Sequence, residues 1–134
     1  MSSVLPVRHL SQSIACPLGR AYAYLCEPEH FCCWASGLAS GLQRVDGRWL
    51  AQTPQGLLQI EFSPRNEHGV LDHWVHLAPD RIVHVPLRVL ANGDGSELVL
   101  SLFRQPGMSD EQFEADAQWV LRDLQAARQL LEAL

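Results

Sequence analysis

From residue 42 onward, apolar and polar residues alternate with a period of two, which is typical of half-buried β-strands. Turn sequences such as Asp46-Gly47 and the run 92–95 interrupt this alternation at short intervals. This order predicts a meander of antiparallel hairpins. With an earlier alternating stretch, seven strands are predicted, at 9–14, 42–46, 48–53, 57–63, 69–77, 81–91 and 96–104.

Two short helices are predicted between the first and second strands. Apolar residues recur at helical spacing over 18–26, and Pro28 ends that helix because the residue before a proline is pushed out of the α region. A second helix is predicted over 31–42, where Gly37 and Gly41 weaken it and mark its end.

A long helix is predicted from Ser109 to the last residue. Ser109 with Gln112 three positions later forms a capping-box pattern, and acidic residues follow Ser109 directly, near the positive end of the helix dipole. An apolar stripe runs along this helix through Phe113, Ala117, Val120, Leu124, Ala127, Leu131 and Leu134. A stripe at this spacing predicts a helix that packs across its own sheet.

If the hairpins close symmetrically, the strands sort into an apolar inner face and a polar outer face. The predicted inner face comprises Trp49, Ala51, Leu58, Ile60, Phe62, Val70, Asp72, Trp74, His76, Val83, Val85, Leu87, Val89, Leu98, Leu100 and Leu102. Asp72 and His76 are its ionisable members, on either side of Trp74. Since buried ionisable groups need partners, they indicate either a structural hydrogen-bond network or a polar spot in a cavity.

Composition and charge exclude several classes of function. The 134 residues are 47% hydrophobic and 19% charged, which predicts a single folded domain over 5–134. The net charge is -5, and the ten basic residues, all arginine, form no stripe, so nucleic acid is not expected as a partner. The absence of lysine excludes Schiff-base chemistry and a Walker-type phosphate loop.

No cofactor or metal site is expected. The cysteines at 16, 26, 32 and 33 contain no Cys-x-x-Cys pair, and His73 with His84 makes only a weak metal-ligand pattern. We interpret the cysteines as reduced thiols. With no signal peptide and no apolar run long enough to span a membrane, a cytoplasmic protein is expected.

Several short segments, taken in order, resemble a known family. They are 14–17 leading into 21–31 and Trp34, then 69–73, 88–89, 92–97 and 105–110 followed by Phe113. The chain resembles the START-like helix-grip superfamily, also called SRPBCC, and within it the bacterial polyketide cyclase/dehydrase-type proteins. The resemblance implies an α+β fold in which a strongly bent seven-stranded antiparallel sheet wraps around the long C-terminal helix.

The resemblance also implies an apolar cavity between sheet and helix that holds a hydrophobic compound. The first functional hypothesis is therefore a carrier or sensor of a small hydrophobic molecule. An enzyme of the polyketide cyclase or aromatase kind is the alternative, with His76 as general base and Asp72 or Arg104 binding or polarising a carbonyl-rich substrate. A protein-protein interaction module is the third hypothesis, and a homodimer is left open. The predicted ligand-binding residues are Trp34, Trp49, Ile60, Asp72, Trp74, His76, Val85, Leu87, Leu100, Arg104, Val120 and Leu124.

Overall fold

The computed structural model describes residues 4–35, 41–54 and 56–134. Its strands are β1 (Val7–Ile14), β2 (Gly41–Val45), β3 (Arg48–Thr53), β4 (Gly56–Phe62), β5 (His73–Ala78), β6 (Arg81–Val85), β7 (Leu87–Asn92) and β8 (Gly95–Phe103). Its helices are α1 (Leu18–Leu25), α2 (Phe31–Trp34) and α3 (Asp110–Glu132), and one turn of 3-10 helix, Pro28–His30, precedes α2. No helix within these residues has the length and apolar character that a membrane crossing requires.

The strands form two antiparallel sheets, in the order β1-β8-β7 and β2-β3-β4-β5-β6. The described residues thus contain eight strands where the sequence predicts seven, because Pro86 divides the predicted strand 81–91 into β6 and β7. Proline has no backbone N–H to donate to a strand ladder. The first half of the divided strand pairs with β5 and the second half with β8.

The predicted inner face is confirmed on four of the strands. Trp49 lies opposite Ile60 where β3 meets β4, and Val89 lies opposite Leu98 where β7 meets β8. Ile60, Val89 and Leu98 are each at most 1% exposed. These strands supply much of the hydrophobic core.

The predicted face of β5 is wrong by one residue. His73 and Val75 are buried on the inner face, whereas Trp74 and His76 lie opposite Glu61 and Gln59 on the outer face. The prediction assumed a tight hairpin that closes near residues 66–69. In the structure the chain between β4 and β5 is longer, and residues 69–71 hydrogen-bond to β7 before β5 begins. A one-residue change in register moves every side chain to the opposite face.

Helix α3 covers the inner face of the sheet. Its predicted start is confirmed, since the Ser109 hydroxyl accepts a hydrogen bond from the Gln112 backbone N–H at 3.1 Å. The buried side chains of α3 are those of Ala117, Leu124, Ala127 and Leu131. At the other end of α3, Glu132 accepts a hydrogen bond from the Ala15 backbone N–H at 2.8 Å, which joins the helix to the end of β1. Leu134, the last residue of the predicted stripe, is exposed.

The first predicted helix corresponds to α1, and the second is shorter than predicted. Helix α2 ends at Trp34, and residues 36–40, including Gly37, lie outside the described residues. Gly41 and Leu42 already belong to β2. The side chains of Phe31 and Trp34 are buried, so α2 packs inward although it is only one turn long.

Candidate ligand-binding site

An apolar cavity of about 160 Å³ lies between the inner face of the sheet and helices α2 and α3. We call it the inner cavity. It is lined by Phe31, Trp34, Ala35, His73, Val75, Val85, Leu100, Leu102, Val120, Asp123 and Leu124. Protein interiors have few voids larger than a water molecule, so a space of this size under the main helix is a candidate binding site.

Strand alternation and a short helix place these side chains together. His73 and Val75 of β5 point inward at the same level as Val85 of β6, since His73 lies directly opposite Val85. Helix α2 closes one side, where the Phe31 ring packs edge-on against Trp34 at 5.5 Å and against His73 at 5.2 Å between ring centroids. The wall is therefore largely aromatic at this end.

His73 is a fully buried imidazole in this wall. Burial lowers its pKa to about 4, although a hydrogen bond to the Leu71 backbone and the nearby Asp72 carboxylate act in the opposite direction. The ring is therefore neutral at neutral pH. A neutral imidazole has one donor and one acceptor nitrogen, and the hydrogen bond to the Leu71 backbone uses the donor.

Trp34 contributes the second polar group. Its side chain borders the inner cavity, and the residue is only 4% exposed. Among the described residues, its indole Nε1 is the buried side-chain donor that has no hydrogen-bond partner. An unsatisfied buried donor costs about 1 to 3 kcal/mol, so this indole is not optimally packed as a core residue.

A second cavity of about 230 Å³ adjoins the first and shares three of its lining residues, Val75, Val85 and Leu102. We call it the outer cavity. Its remaining lining residues are Leu77, Val83, His84, Ser101, Phe103, Gln105, Met108 and Asp116. The Ser101 backbone N–H donates to the Pro86 carbonyl at 3.0 Å, which is the last backbone hydrogen bond between the two sheets on this side among the described residues. From there, β6 pairs with β5, and the end of β8 pairs with β1. The outer cavity lies where these two strands separate.

Five of the predicted ligand-binding residues line the inner cavity together: Trp34, Val85, Leu100, Val120 and Leu124. Trp49, Ile60 and Leu87 lie on the inner face as predicted but do not line the cavity. Ile60 and Leu87 are packed in the core, each 1% exposed. Trp49 is half-buried beside Phe62, and the Arg44 guanidinium lies 5.6 Å from its ring centroid.

Asp72 is buried, but it does not line the cavity as the sequence predicted. It lies where the chain passes from pairing with β7 to pairing with β4, and its carboxylate accepts hydrogen bonds from Arg88, His84 and the Leu87 backbone N–H. Burial alone would raise the pKa of Asp72, but these hydrogen bonds outweigh it and hold the pKa far below the ordinary value. The structural-network interpretation of Asp72 fits this arrangement.

His76 and Trp74 are also away from the cavity, because the one-residue shift of β5 places them on the outer face. His76 Nε2 lies 2.5 Å from Glu61 Oε1, and the Trp74 ring stacks on the His84 ring with centroids 4.9 Å apart. Neither of the two catalytic candidates, Asp72 and His76, lines the inner or the outer cavity.

Arg104 does not reach either cavity. The sequence predicted that it binds the ligand, but its guanidinium donates to the Met108 carbonyl from Nε and Nη2, at 3.0 and 2.8 Å, and pairs with Asp110. These contacts hold the turn between β8 and α3. The positive charge of Arg104 therefore stabilises this turn and does not contact a ligand in either cavity.

His73 is one of the cavity residues that the sequence prediction missed. It was assigned to the outer face because the hairpin between β4 and β5 was taken to be tight. The side chain of Asn66 spans this connection, accepting from the His68 and Val70 backbone N–H groups at 2.9 and 3.1 Å. An asparagine that bonds to its own loop was the available signal for a longer connection.

No family model and no curated protein matches the sequence. Solved structures do match over nearly the whole chain. Protein XoxI from Bacillus cereus superposes with a TM-score of 0.73 at 14% identity, covering 95% of this chain and 96% of that one. Ara h 8.0201 gives a TM-score of 0.70 at 11% identity, with 98% and 100% covered.

A START superfamily protein from Mycobacterium smegmatis superposes with a TM-score of 0.68 at 9% identity, covering 95% of this chain and 97% of that one. The chain has the START-like helix-grip fold. Helix α3 packs against the sheets, and the inner cavity lies between them. The resemblance noted in the sequence is therefore confirmed at the level of the fold.

Proposed function

We propose that this protein binds a small, largely apolar molecule in the inner cavity and acts as its carrier or sensor. The observation that carries the proposal is an apolar cavity beneath α3 that is lined by aromatic and aliphatic side chains and by the neutral imidazole of His73. Sites for apolar ligands are concave, mostly apolar and contain a few polar groups that orient the ligand.

Simple core packing explains this region less well. A side chain that only fills the core leaves no space beside it and has its polar atoms paired. Trp34 meets neither condition, because it borders an open volume and its Nε1 has no partner among the described residues. A bound molecule would fill the volume.

The enzymatic alternative has less support from the site. A cyclase of the kind considered above needs its acid-base groups against the substrate, whereas Asp72 is held by Arg88 and His84, and His76 lies on the outer face beside Glu61. The interaction-module hypothesis and the homodimer stay predictions. An apolar cavity supports ligand binding more than it supports a cyclase reaction or a protein-protein interaction.

The test uses the neutral dye N-phenyl-1-naphthylamine, whose fluorescence rises on transfer to an apolar site. We expect the purified protein to bind the dye with saturation. Val120→Trp fills the inner cavity and should abolish this binding, whereas Val45→Trp makes the same substitution at an exposed position of β2 and should leave it unchanged. Circular dichroism shows whether each variant is folded.

Native mass spectrometry of freshly purified protein, performed before the dye experiment, would detect a molecule that remains bound. Dye binding that is absent in the unmodified protein after removal of such a molecule would overturn the proposed function. Equal dye binding by folded Val120→Trp and Val45→Trp proteins would also overturn it, because the dye would then occupy another surface.

A further inference from the structure

The outer cavity has a carboxylate, that of Asp116, in a lining that is otherwise mainly apolar. Asp116 lies about one helical turn before Val120, so the two side chains leave α3 on the same side, and Val120 borders the inner cavity. The next residue, Ala117, is fully buried. Asp116 therefore lies along the face of α3 that packs against the sheets, and it is only partly exposed.

The charge of Asp116 is not matched within the described part of the chain. Its Oδ1 accepts a hydrogen bond from the neutral Gln112 side chain at 2.8 Å, and none of the ion pairs among the described residues includes it. The described lining of this cavity contains no arginine, and the chain contains no lysine. Arg104 donates to the carbonyl of the lining residue Met108, but it pairs with Asp110.

His84 is the other ionisable group in the described lining of the outer cavity. Its Nε2 lies 2.9 Å from the Asp72 carboxylate, so a proton on this ring is matched by Asp72. Asp116 therefore stays available as a counter-ion. An organic cation would be attracted to it, whereas an organic anion would be repelled.

The other groups around this carboxylate suit an ammonium ion with an apolar chain. Gln105 also lines the cavity, and because its Nε2 donates to the Phe103 carbonyl at 3.2 Å, its Oε1 is left as an acceptor. An ammonium group has three donors and no acceptor, so carboxylate and amide oxygens match it. Phe103 and Met108 contribute an aromatic ring and a thioether to the lining, and aromatic rings attract cations as well as apolar chains.

We propose that the outer cavity binds an organic ammonium ion, a primary amine whose charge pairs with Asp116 and whose short apolar chain packs against Val83, Val85 and Phe103. The cavity volume of about 230 Å³ suits a chain of a few carbon atoms. This site is separate from the one proposed for the inner cavity and does not depend on it.

Isothermal titration calorimetry with hexylamine, 1-hexanol and hexanoate tests the site, because the three compounds have similar chains and differ in charge. The titrations are performed at neutral pH in about 0.15 M salt, which screens the attraction of any cation to a protein with a net charge of -5. We expect hexylamine to bind about fivefold more tightly than 1-hexanol, the value of a partly exposed ion pair, and hexanoate to bind most weakly.

Asp116→Asn removes the charge and keeps an oxygen that can accept from Gln112. It should weaken hexylamine binding about fivefold relative to 1-hexanol binding. Asp94→Asn is the matched control, since it removes the same charge at the exposed turn between β7 and β8, at the other end of β8 from Phe103. It should leave the affinity for hexylamine unchanged. Circular dichroism shows whether both variants are folded.

The outcomes separate this proposal from the proposed function. Equal affinities for the three compounds, or no binding of hexylamine, would overturn the ammonium site. The same result for Asp116→Asn and Asp94→Asn would also overturn it, because any preference for the amine would then come from the net charge of the protein. Dye binding that persists in a protein without amine binding leaves the function of the inner cavity standing.

Discussion

Arg88 donates two hydrogen bonds to the Asp72 carboxylate, from Nε to Oδ1 at 2.7 Å and from Nη2 to Oδ2 at 2.9 Å. The Leu87 backbone N–H donates to Oδ1 as well, so one buried carboxylate joins the start of β5 to both residues that follow Pro86. The place where the long strand divides is thus held by charge-assisted hydrogen bonds, which are stronger than neutral ones.

Asp72→Asn should therefore destabilise the fold strongly. The amide nitrogen would have to face an N–H of Arg88 or His84, so we expect a loss of about 2 to 4 kcal/mol in the free energy of unfolding, measured by urea denaturation. Because the folded-state pKa of Asp72 is lowered, its contribution is present above the unfolded value of 3.8 and is lost as the pH falls below it.

Glu61→Gln is the matched control, since Glu61 also pairs with a histidine, but its side chain is 54% exposed. Its replacement should cost less than about 1 kcal/mol. Equal losses for Asp72→Asn and Glu61→Gln would contradict a special role for the Asp72 contacts.

The buried His73 should make stability depend on pH between 6.5 and about 4. In this interval the unfolded chain takes up a proton at His73 and the folded chain does not, so acidification favours unfolding. We expect the free energy of unfolding to fall by up to about 3 kcal/mol from this group across the interval. In the His73→Leu variant, this part of the pH dependence of the free energy of unfolding should disappear. Parallel stability curves for the two proteins would show that the ring is charged or accessible in the folded state.

Gly69→Ala should be among the most damaging small substitutions. Gly69 has φ +70°, and a Cβ there would lie 2.2 Å from the Val89 carbonyl oxygen of β7. Because the backbone of β7 would have to move, we expect a loss of at least about 3 kcal/mol.

Gly93→Ala provides the comparison for Gly69→Ala. Gly93 also has a positive φ, +58°, but nothing lies within 4 Å of the added Cβ. The backbone conformation alone should cost about 1 to 2 kcal/mol. If chemical denaturation gives the two variants the same midpoint, the close approach of residue 69 to β7 does not matter for stability.

Removal of the helix cap at Ser109 should have a moderate effect. Ser109→Ala leaves the Gln112 N–H without its side-chain acceptor and should cost about 1 kcal/mol, seen as a lower Tm. Ser109→Asp keeps an acceptor at the same place and should retain most of the stability. A drop in Tm of similar size in both variants would argue against the capping contact.

Local sequence signals predicted most of the architecture. The start of α3 at Ser109 depends on a side-chain contact three residues away, and the inner faces of β7 and β8 depend on alternation across a short turn. These features involve neighbours in sequence, so the pattern alone is informative. The helix-grip order followed from the same elements.

The face of β5 depends on residues distant in sequence, and the pattern alone did not determine it. Whether His73 or Trp74 points inward is set by how residues 69–71 pair with β7, which follows them by about 18 residues in the chain. Each candidate face of β5 contains one histidine beside apolar or aromatic residues, so hydrophobicity does not distinguish the two faces. Pro86 was visible in the sequence. That the residues before it pair with β5 and those after it pair with β8 was not.

The separation of β6 from β8 has a consequence for local motion. Strand β6 has a ladder partner on one side, whereas β7 is bonded to β8 on one side and to residues 69–71 on the other. Amide hydrogens of β6 should therefore exchange with solvent through small local openings, while those of β7 should be protected until the whole domain unfolds. The outer cavity, which lies where β6 and β8 separate, is therefore bordered by a strand whose hydrogen bonds open more easily than those of β7.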